Sequence, residues 1–391
     1  MTTDELERHL AHRLGARHAV AFGYARHALI SILVAAGLRP GDEVVLSPLT
    51  CKVVPLALLS LDLKPVYADI SAETLNLDPS RVADAITPAT RAVLFQHTYG
   101  NPAGVASIAR CASANGLLLV EDCAQCMPTL SDGYTPGRSG HAAIFSNNLL
   151  KPLPAGSGGV AVTDDAALTD RIRALRDRSP ERSNTGNAML RVESWLHRYL
   201  LRSWLYWPLF EMSRRFASTY RAQPTAREIS DEITRKEVRV SAFQVREGAH
   251  WLARVDDLAA HRRACCDDYV ASLRELAAIE MPCRDVALPL YYFPVLVRGK
   301  DDLLRAARRR CIELVPWPIR TPIYPVEDER RLLAYGYRPG SCAIAETVAH
   351  RLVGLPTGPA IGQRQRARVT TLLTTHHAAL SEAHPARVHS R

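Results

Sequence analysis

The sequence has no membrane-length apolar run, no signal-peptide pattern and no cysteine framework. Its apolar stretches fall short of the roughly 20 residues that cross a bilayer. The start, Met1-Thr2-Thr3-Asp4-Glu5, is acidic and lacks the basic and apolar regions of a leader. The nine cysteines follow no disulfide or zinc spacing, which is typical of a reducing compartment. We therefore expect a cytoplasmic protein.

The chain of 391 residues carries a formal charge of +9, yet its basic residues form no recognisable nucleic-acid module. Nucleic-acid binding is not expected, and a basic surface also suits a phosphorylated substrate. Cys123 and Cys126 form a lone C-x-x-C. We interpret the pair as small residues at a strand end and predict no metal site, because no second pair lies at zinc-site spacing.

Short apolar runs alternate with amphipathic stretches along the first part of the chain. The predicted helices between the runs are His27–Gly37, Val53–Leu61, Pro79–Ile86, Ala103–Ala114 and Ala166–Arg176. The predicted strands are Ala19–Gly23, Glu43–Ser47, Pro65–Ile70, Ala92–His97, Leu117–Asp122, Ala142–Ser146 and Gly159–Thr163. Several strands lack polar alternation, so the pattern predicts an α/β fold with a largely parallel seven-stranded sheet covered on both faces.

We expect residues 1–240 to form this large domain. A long linking helix from Ser241 to about Leu276 and a smaller C-terminal α/β domain complete residues 241–380, and the polar tail 381–391 is expected to be disordered. The elements predicted in the smaller domain are the strands Tyr291–Val297 and Leu314–Pro316 and the helices Asp302–Cys311 and Gln363–Leu380.

An insertion at about 187–224 interrupts the α/β pattern. Its part 189–220 holds three of the five tryptophans, Trp195, Trp204 and Trp207, with arginines interspersed. Two interpretations stay open: an amphipathic helix lying on a membrane surface, or packing against the body or a dimer partner.

Two strand ends carry the residues that suggest chemistry. The run Leu117–Val120 ends in Glu121-Asp122, and Lys151 follows Ala142–Ser146 and precedes a glycine-rich stretch. A lysine that forms an imine with an aldehyde, and a carboxylate that keeps a pyridine nitrogen protonated, are what pyridoxal 5′-phosphate requires. In a parallel sheet both lie at the edge where ligands bind. The sequence therefore predicts Lys151 as catalytic and Asp122 as cofactor-binding.

Three further segments complete the predicted site. The turn Gly23-Tyr24-Ala25-Arg26 leads from a strand into a helix, so the backbone at Ala25 and the charge of Arg26 are candidates for holding the phosphate. Ser146 is a second candidate donor to the phosphate, although it could also be a satisfied strand-end hydroxyl, and Gln125 could reach the ring hydroxyl. His97 is a candidate wall residue, although a lone histidine there is more often a packed strand-end side chain.

These segments, in order, resemble the DegT/DnrJ/EryC1/StrS family of PLP-dependent sugar aminotransferases, of fold type I. The resemblance rests on "RPGDEVVLSPLT", "KPVYADIS", "HTYGNPA", "EDCAQ", "IFSNNLLKPLPAGSGGVAVTDD", "RVSAFQ" and "AETVAHRLVGLPTGP". It implies that Asp122 pairs with the pyridine nitrogen, Gln125 lies by the ring hydroxyl, Ser146 contacts phosphate and Lys151 forms the Schiff base. It also implies a homodimer with the active site at the interface.

The chain departs from the family pattern in four places. The usual "SGTAAL" reads "YARHAL", so that Arg26 replaces a threonine, and the aromatic that stacks on the cofactor is replaced by Cys51. The N-terminal region, which helps shape the substrate pocket, is shorter than usual, and the segment 189–220 is not typical of members.

We therefore expect amino transfer from an amino acid, with L-glutamate as the leading donor, to a keto sugar that is most often nucleotide-linked. Such a reaction serves cell-surface polysaccharide or natural-product biosynthesis. Two alternatives stay open: a PLP-dependent lyase, dehydratase or other tailoring enzyme acting on an unusual or lipid-linked substrate, and a protein held peripherally at the membrane through 189–220.

Overall fold

The computed structural model describes the greater part of the chain. The described residues are 1–130, 133–149, 151–154, 156–199, 238–276, 279–283 and 288–383. Within them, no helix combines the length and the apolar character needed to cross a bilayer.

A seven-stranded sheet forms the centre of the fold. Its strands in chain order are β1 (His18–Phe22), β2 (Glu43–Leu46), β4 (Lys64–Tyr67), β5 (Thr90–Gln96), β6 (Leu118–Asp122), β7 (Ala142–Ser146) and β8 (Gly159–Thr163). They are ordered β1-β8-β7-β6-β5-β2-β4 across the sheet. All neighbours are parallel except β8, which runs antiparallel to β1 and β7. The predicted seven strands and the largely parallel sheet are confirmed.

Helices cover the two faces of this sheet because both faces are apolar. The strands β5, β6, β7 and β8 are buried almost throughout, which is the pattern that parallel sheets with covered faces require. The covering helices are α1 (Thr3–Arg13), α2 (Ala25–Ala35), α3 (Val53–Leu59), α4 (Pro79–Ala85), α5 (Val105–Ala114) and α6 (Ala166–Arg178), and a largely exposed helix, α7 (Asn184–Tyr199), follows them. Several begin at a side-chain cap, such as the Thr2–Glu5 capping box of α1.

The predicted long helix after Ser241 is two helices. They are α8 (Ala242–Leu252), which starts at a Ser241–Gln244 capping box, and α9 (Val255–Leu273). The chain turns at Ala253 and Arg254, where the φ of Arg254 is −114° and departs from helical values, and Trp251 and Val255 on either side pack in one apolar cluster. The new helix starts with Asp256 and Asp257 in its first turn, where the helix dipole favours negative charge.

The C-terminal part contains a two-stranded antiparallel sheet of β9 (Tyr292–Leu296) and β11 (Leu352–Pro356). The strand β11 was not predicted. The strand expected at Leu314–Pro316 is a single bridge between Val315 and Gly354. The helices are α10 (Lys300–Arg309), α11 (Ala343–Ala349) and α12 (Gln363–Ala383). The predicted tail therefore begins inside α12, and its remainder, 384–391, lies outside the described residues.

A short parallel pair joins the two halves of the chain. Strand β3 (Thr50–Cys51) pairs with β10 (Ile323–Tyr324), and the N–H of Lys52 donates to the carbonyl of Tyr324 at 2.7 Å. Of the predicted aromatic segment 189–220, only the part up to Tyr199 is described, as the end of α7.

Candidate active site

The register of the sheet brings the predicted residues to one edge. Asp122, the last residue of β6, pairs with Ile144 of β7. Two residues further along β7, Ser146 pairs with Gly159 of β8, which on its other side pairs with Phe22 of β1. The turn that follows Phe22 therefore starts at the same edge as Asp122 and Ser146, as the sequence predicts.

The start of α2 packs directly on the sheet at this edge. A Cβ at position 159 would lie 2.1 Å from the Cα of Ala25, so only glycine allows this approach. The N-cap residue Tyr24 makes no side-chain capping hydrogen bond. The first N–H groups of α2, at Ala25 and Arg26, therefore form the positive end of a helix at the predicted phosphate position.

Asp122 is a buried carboxylate at the end of β6. Its side chain is 3% exposed, and Oδ1 accepts a hydrogen bond from the N–H of Ala124 at 2.9 Å. Burial raises the pKa of Asp122, and the Ala124 N–H, the Lys151 ammonium and His97 act against that rise. A cationic ring beside Asp122 would favour the ionised carboxylate in the same way as Lys151 does.

Lys151 lies in the connection between β7 and β8. It is half-buried, and its N–H donates to the carbonyl of Asn148 at 2.9 Å, which closes a turn just after Ser146 and Asn147. The N–H of Asn147 in turn donates to Gly158 at 3.0 Å, so the two ends of the connection are tied together. This arrangement holds the lysine at the edge that carries Asp122.

Gln125 is held by a backbone contact. Its Oε1 accepts from the N–H of Tyr99 at 2.7 Å, and the residue is buried. Tyr99 adopts a φ of 57°, and its hydroxyl donates to the carbonyl of Trp317 at 2.5 Å. Since Oε1 is engaged, the Nε2 end is the donor that a ring hydroxyl or phenolate oxygen would meet.

The sequence reasoning missed the role of Glu121. This carboxylate is fully buried on the opposite face of β6 from Asp122. It accepts hydrogen bonds from His97 Nε2 (2.8 Å), Ser139 N (2.6 Å), Gly140 N (2.7 Å), Gly137 N (3.2 Å) and Tyr134 OH (3.3 Å). Burial raises the pKa of Glu121, but these bonds outweigh it and hold the pKa below its ordinary value. The position next to Asp122 on a buried strand was the only signal in the sequence.

His97 belongs to this support rather than to the wall of the site. Its ring is fully buried and bonded to Glu121, and its backbone N–H donates to the carbonyl of Asp122 at 3.1 Å. Burial lowers the pKa of His97, while Cys126 and Glu121 raise it, with a net rise. The histidine thus connects the ends of β5 and β6.

Cys123 and Cys126 are both buried, and the structure favours their interpretation as packing residues. Burial raises the pKa of the Cys123 thiol well above its ordinary value, which keeps it protonated and unreactive. The ligand atoms of Cys123, His97 and Glu121 lie within 4.8 Å of one another, but hydrogen bonds to the protein account for Glu121 and for His97 Nε2.

Position 51, where the sequence lacks the family's stacking aromatic, has an aromatic neighbour. Cys51 pairs with Tyr324 in the β3–β10 ladder, and Thr50 Oγ1 donates to Gln96 Oε1 at 3.0 Å. Gln96 in turn pairs with Asp122. The ladder therefore brings Tyr324 from the C-terminal part towards the strand end that carries Asp122, which sequence spacing could not reveal.

Comparison with curated proteins finds relatives that match less than half of the chain and a relative that matches nearly all of it. The spore coat polysaccharide biosynthesis protein SpsC of Bacillus subtilis is 39% identical over 171 residues, which are 44% of this chain and 44% of SpsC. The L-glutamine:2-deoxy-scyllo-inosose aminotransferase of Streptomyces kanamyceticus is 35% identical over 177 residues, 44% of this chain and 42% of that protein. These matches span less than half of the relatives' length. EryC1 of Saccharopolyspora erythraea is 28% identical over 362 residues, 91% of this chain and 85% of that protein.

Solved structures share the fold over nearly the whole chain. DesV of S. venezuelae, in complex with a ketimine intermediate, has a TM-score of 0.74 at 26% identity, covering 96% of this chain and 89% of that chain. DesI, solved with its TDP-sugar product, has a TM-score of 0.74 at 26% identity, covering 98% and 87%. The predicted fold class is therefore confirmed.

The family assignment rests on the segment that builds the site. Residues 1–198 match the sequence profile of the DegT/DnrJ/EryC1/StrS aminotransferase family. They include every residue placed above at the sheet edge, from Ala25 to Lys151. The chain belongs to the DegT/DnrJ/EryC1/StrS aminotransferase family.

Proposed function

We propose that this protein is a PLP-dependent aminotransferase. It transfers an amino group from an amino acid, L-glutamate first, to the keto group of a nucleotide-linked sugar in polysaccharide or natural-product biosynthesis. The observation that carries the proposal is the position of the buried Asp122 at the sheet edge where α2 begins and from which the connection with Lys151 leaves β7. A buried acid, an amine and a helix start are the three groups that the cofactor needs.

The chemistry of this set of groups fits the cofactor. When bound, pyridoxal phosphate supplies an aldehyde that condenses with amines and a pyridinium ring that accepts electrons. Asp122 would keep the proton on the ring nitrogen. The phosphate would be held by the N–H groups of Ala25 and Arg26, the Arg26 guanidinium and the Ser146 hydroxyl. The Gln125 amide would donate to the ring oxygen.

Lys151 has two roles in this proposal. Its Nζ would hold the cofactor covalently when the cofactor is bound, and its free amine would move the proton at the α-carbon of the amino donor. The hydrogen bond from the Lys151 N–H to the carbonyl of Asn148 fixes the backbone from which Nζ would act. Asp122 supports this step because it keeps the electron-accepting ring cationic.

The proposed substrates draw on the relatives. SpsC is a polysaccharide biosynthesis protein, and DesI was solved with a TDP-sugar product. The Streptomyces kanamyceticus relative is an L-glutamine-dependent aminotransferase, so glutamine is the second donor to assay.

The test is the half-reaction without an acceptor. Incubation of the PLP-loaded protein with L-glutamate, and separately with L-glutamine, should convert the bound cofactor to pyridoxamine phosphate and release one equivalent of the 2-oxo acid. Lys151→Ala should abolish this conversion. Failure of the wild-type protein to convert its cofactor with any amino donor would refute the aminotransferase proposal.

The proposed assembly is a homodimer of two-domain subunits, with residues 1–240 and 241–380 as the domains. The resemblance supports an active site at the subunit interface. Light scattering would give the mass of the protein in solution, and an active monomer would contradict the proposed dimer. Mixing Lys151→Ala with a variant inactivated at another site residue should restore activity only if each active site contains residues from both subunits.

We propose that the protein is cytoplasmic and binds a membrane surface through the exposed face of α7. Met189, Val192 and Trp195 recur at helical spacing and are 73%, 57% and 56% exposed. Arg191 on the same helix suits anionic lipid. Wild-type protein should float with vesicles that contain anionic lipid, and a Val192→Ser/Trp195→Ser variant should float less. Leu333→Ser, which removes an apolar side chain 65% exposed elsewhere, is the control. Equal flotation of the wild type and both variants would refute membrane binding through α7 and would favour packing against another part of the protein.

A further inference from the structure

We infer that Arg182, a residue outside the family's motifs, is a positioning residue for the phosphate of the cofactor. The inference rests on the proposed function and adds a second guanidinium group to the phosphate site, beside that of Arg26.

Two arginines share the ring of Tyr24. The Cζ of Arg26 lies 5.0 Å from the ring centroid, and the Cζ of Arg182 lies 5.1 Å from the same centroid. The two guanidinium groups are therefore no farther apart than the sum of these distances. Like charges gathered at one helix start, where the helix dipole adds more positive potential, favour the binding of an anion there.

Arg182 also connects the two segments that the phosphate has to touch. Its Nη1 donates to the hydroxyl of Tyr24 at 3.2 Å, and its Nη2 donates to Ser157 Oγ at 3.5 Å. Ser157 lies in the connection that carries Lys151, and its hydroxyl donates to the carbonyl of Gly23 at 3.3 Å. The guanidinium thus lies across the junction of the α2 turn and the Lys151 connection.

The hydrogen bonds of Arg182 leave donor capacity unused. A guanidinium has five N–H donors, and the contacts with Tyr24 and Ser157 engage two of its nitrogens through neutral hydroxyl oxygens. Its Nε is buried without a hydrogen-bond partner. Within the described ranges, Arg182 makes no ion pair with a carboxylate. A buried donor on a charged group that meets only neutral acceptors is costly, and a phosphate oxygen would satisfy it with a charge-assisted bond.

The position of Arg182 was not evident from the sequence. It follows α6 in the loop before α7, and nothing in "RDRSPERSN" marks it as different from its neighbours. In the structure, Gln244 ties together the two segments that Arg182 contacts. The Nε2 of Gln244 donates to Ser157 Oγ at 2.8 Å and to the carbonyl of Gly23 at 3.1 Å.

The test compares two ligands that differ only in the phosphate. Dissociation constants of pyridoxal phosphate and of pyridoxal are measured by absorbance titration of the cofactor-free full-length protein. Arg182→Met should weaken binding of pyridoxal phosphate by about 10- to 100-fold, the range of a lost charge-assisted hydrogen bond. It should leave the pyridoxal constant unchanged. Arg182→Lys, which keeps the charge, should restore part of the loss.

Arg178→Met is the matched control. It removes the same charge four residues away, from an exposed position at the end of α6, and should change neither constant. Pyridoxal binding by Arg182→Met also reports whether the site is folded.

Three results would overturn the inference. An equal loss of both ligands would assign Arg182 a structural role. No loss of either would remove it from the site. If Arg182→Met leaves the ratio of the pyridoxal and pyridoxal phosphate dissociation constants unchanged but raises the KM for a nucleotide-linked acceptor, Arg182 contacts the diphosphate of the substrate instead. Failure of the wild-type protein to bind pyridoxal phosphate would instead refute the proposed function, and this inference with it.

Discussion

Replacement of Glu121 by glutamine tests the buried hydrogen bonds that hold the ends of β5 and β6, and it leaves the groups proposed to face the cofactor unchanged. Glutamine has nearly the same shape, so the substitution removes the charge and converts one acceptor into an N–H donor. Glu121 is fully buried, and no water can replace what is lost. The groups that then face a neutral or wrongly polarised partner are Gly137 N, Ser139 N, Gly140 N, Tyr134 OH and His97 Nε2.

The expected magnitude follows from these contacts. The amide oxygen of glutamine can still accept from Ser139 and Gly140, the two shortest bonds at 2.6 and 2.7 Å. Its NH₂ group would then point at donors, above all at His97 Nε2. Hydrogen bonds to a charged group contribute about 1.5–3 kcal/mol each, and loss of one partner of a buried pair costs about 3–5 kcal/mol. We therefore expect Glu121→Gln to lower the free energy of unfolding by about 3–5 kcal/mol.

The assay is urea unfolding followed by circular dichroism, with Glu280→Gln as the control. Glu280 is likewise a paired carboxylate, at 2.7 Å from the guanidinium of Arg351, but its side chain is 60% exposed. An exposed pair contributes at most about 1 kcal/mol. A loss from Glu121→Gln no greater than that of Glu280→Gln would refute the argument that a saturated buried carboxylate holds the ends of β5 and β6 in place.

Three further predictions concern the same strand ends. Asp122→Asn should slow the half-reaction with L-glutamate by about 100- to 1000-fold in stopped-flow measurements while Lys151 still binds the cofactor; a near-normal rate would contradict the role given to the carboxylate. Gly159→Ala should weaken pyridoxal phosphate binding by at least about tenfold, because its Cβ would displace the start of α2, whereas Gly358→Ala, with open space around it, should not. The pKa of Glu121 is lowered in the folded protein, so the ionised carboxylate stabilises the fold above the ordinary pKa of 4.5, and this stabilisation is lost as the pH falls through the pKa of the folded state. The difference in unfolding free energy between wild type and Glu121→Gln should therefore become smaller in acid. A difference that becomes larger in acid would contradict the assignment.

The sheet and the strand-end residues could be predicted because they depend on local patterns. Runs such as Ala142–Ser146 and Gly159–Thr163 are buried on both faces, and their composition alone indicates this. Asp122, Ser146 and Lys151 follow from the rule that parallel strands present their carboxyl ends at one edge. The break between α8 and α9 was not predictable, because no glycine or proline marks it and it shows only in the backbone angles at Arg254.

The residues that support the site could not be predicted, because their contacts join distant segments. Glu121 meets the loop around Ser139 and Gly140, and Arg182 meets Tyr24 far back along the chain. In the sequence these residues are one acid beside another and one arginine among many. Their roles follow only from the three-dimensional arrangement, where burial and unmet donors distinguish them from other charged residues.

The lysine that holds the cofactor is the central claim, and reductive trapping tests it most directly. The protein loaded with pyridoxal phosphate is reduced with borohydride, digested and analysed by mass spectrometry. The buried Lys300 is an informative competitor, because burial lowers its pKa to about 7 and its Nζ donates to the carbonyls of Pro318, Ile319 and Ala349. We predict a single reduced cofactor adduct on Lys151. An unlabelled protein, or an adduct on Lys300 or any other lysine, would contradict the account.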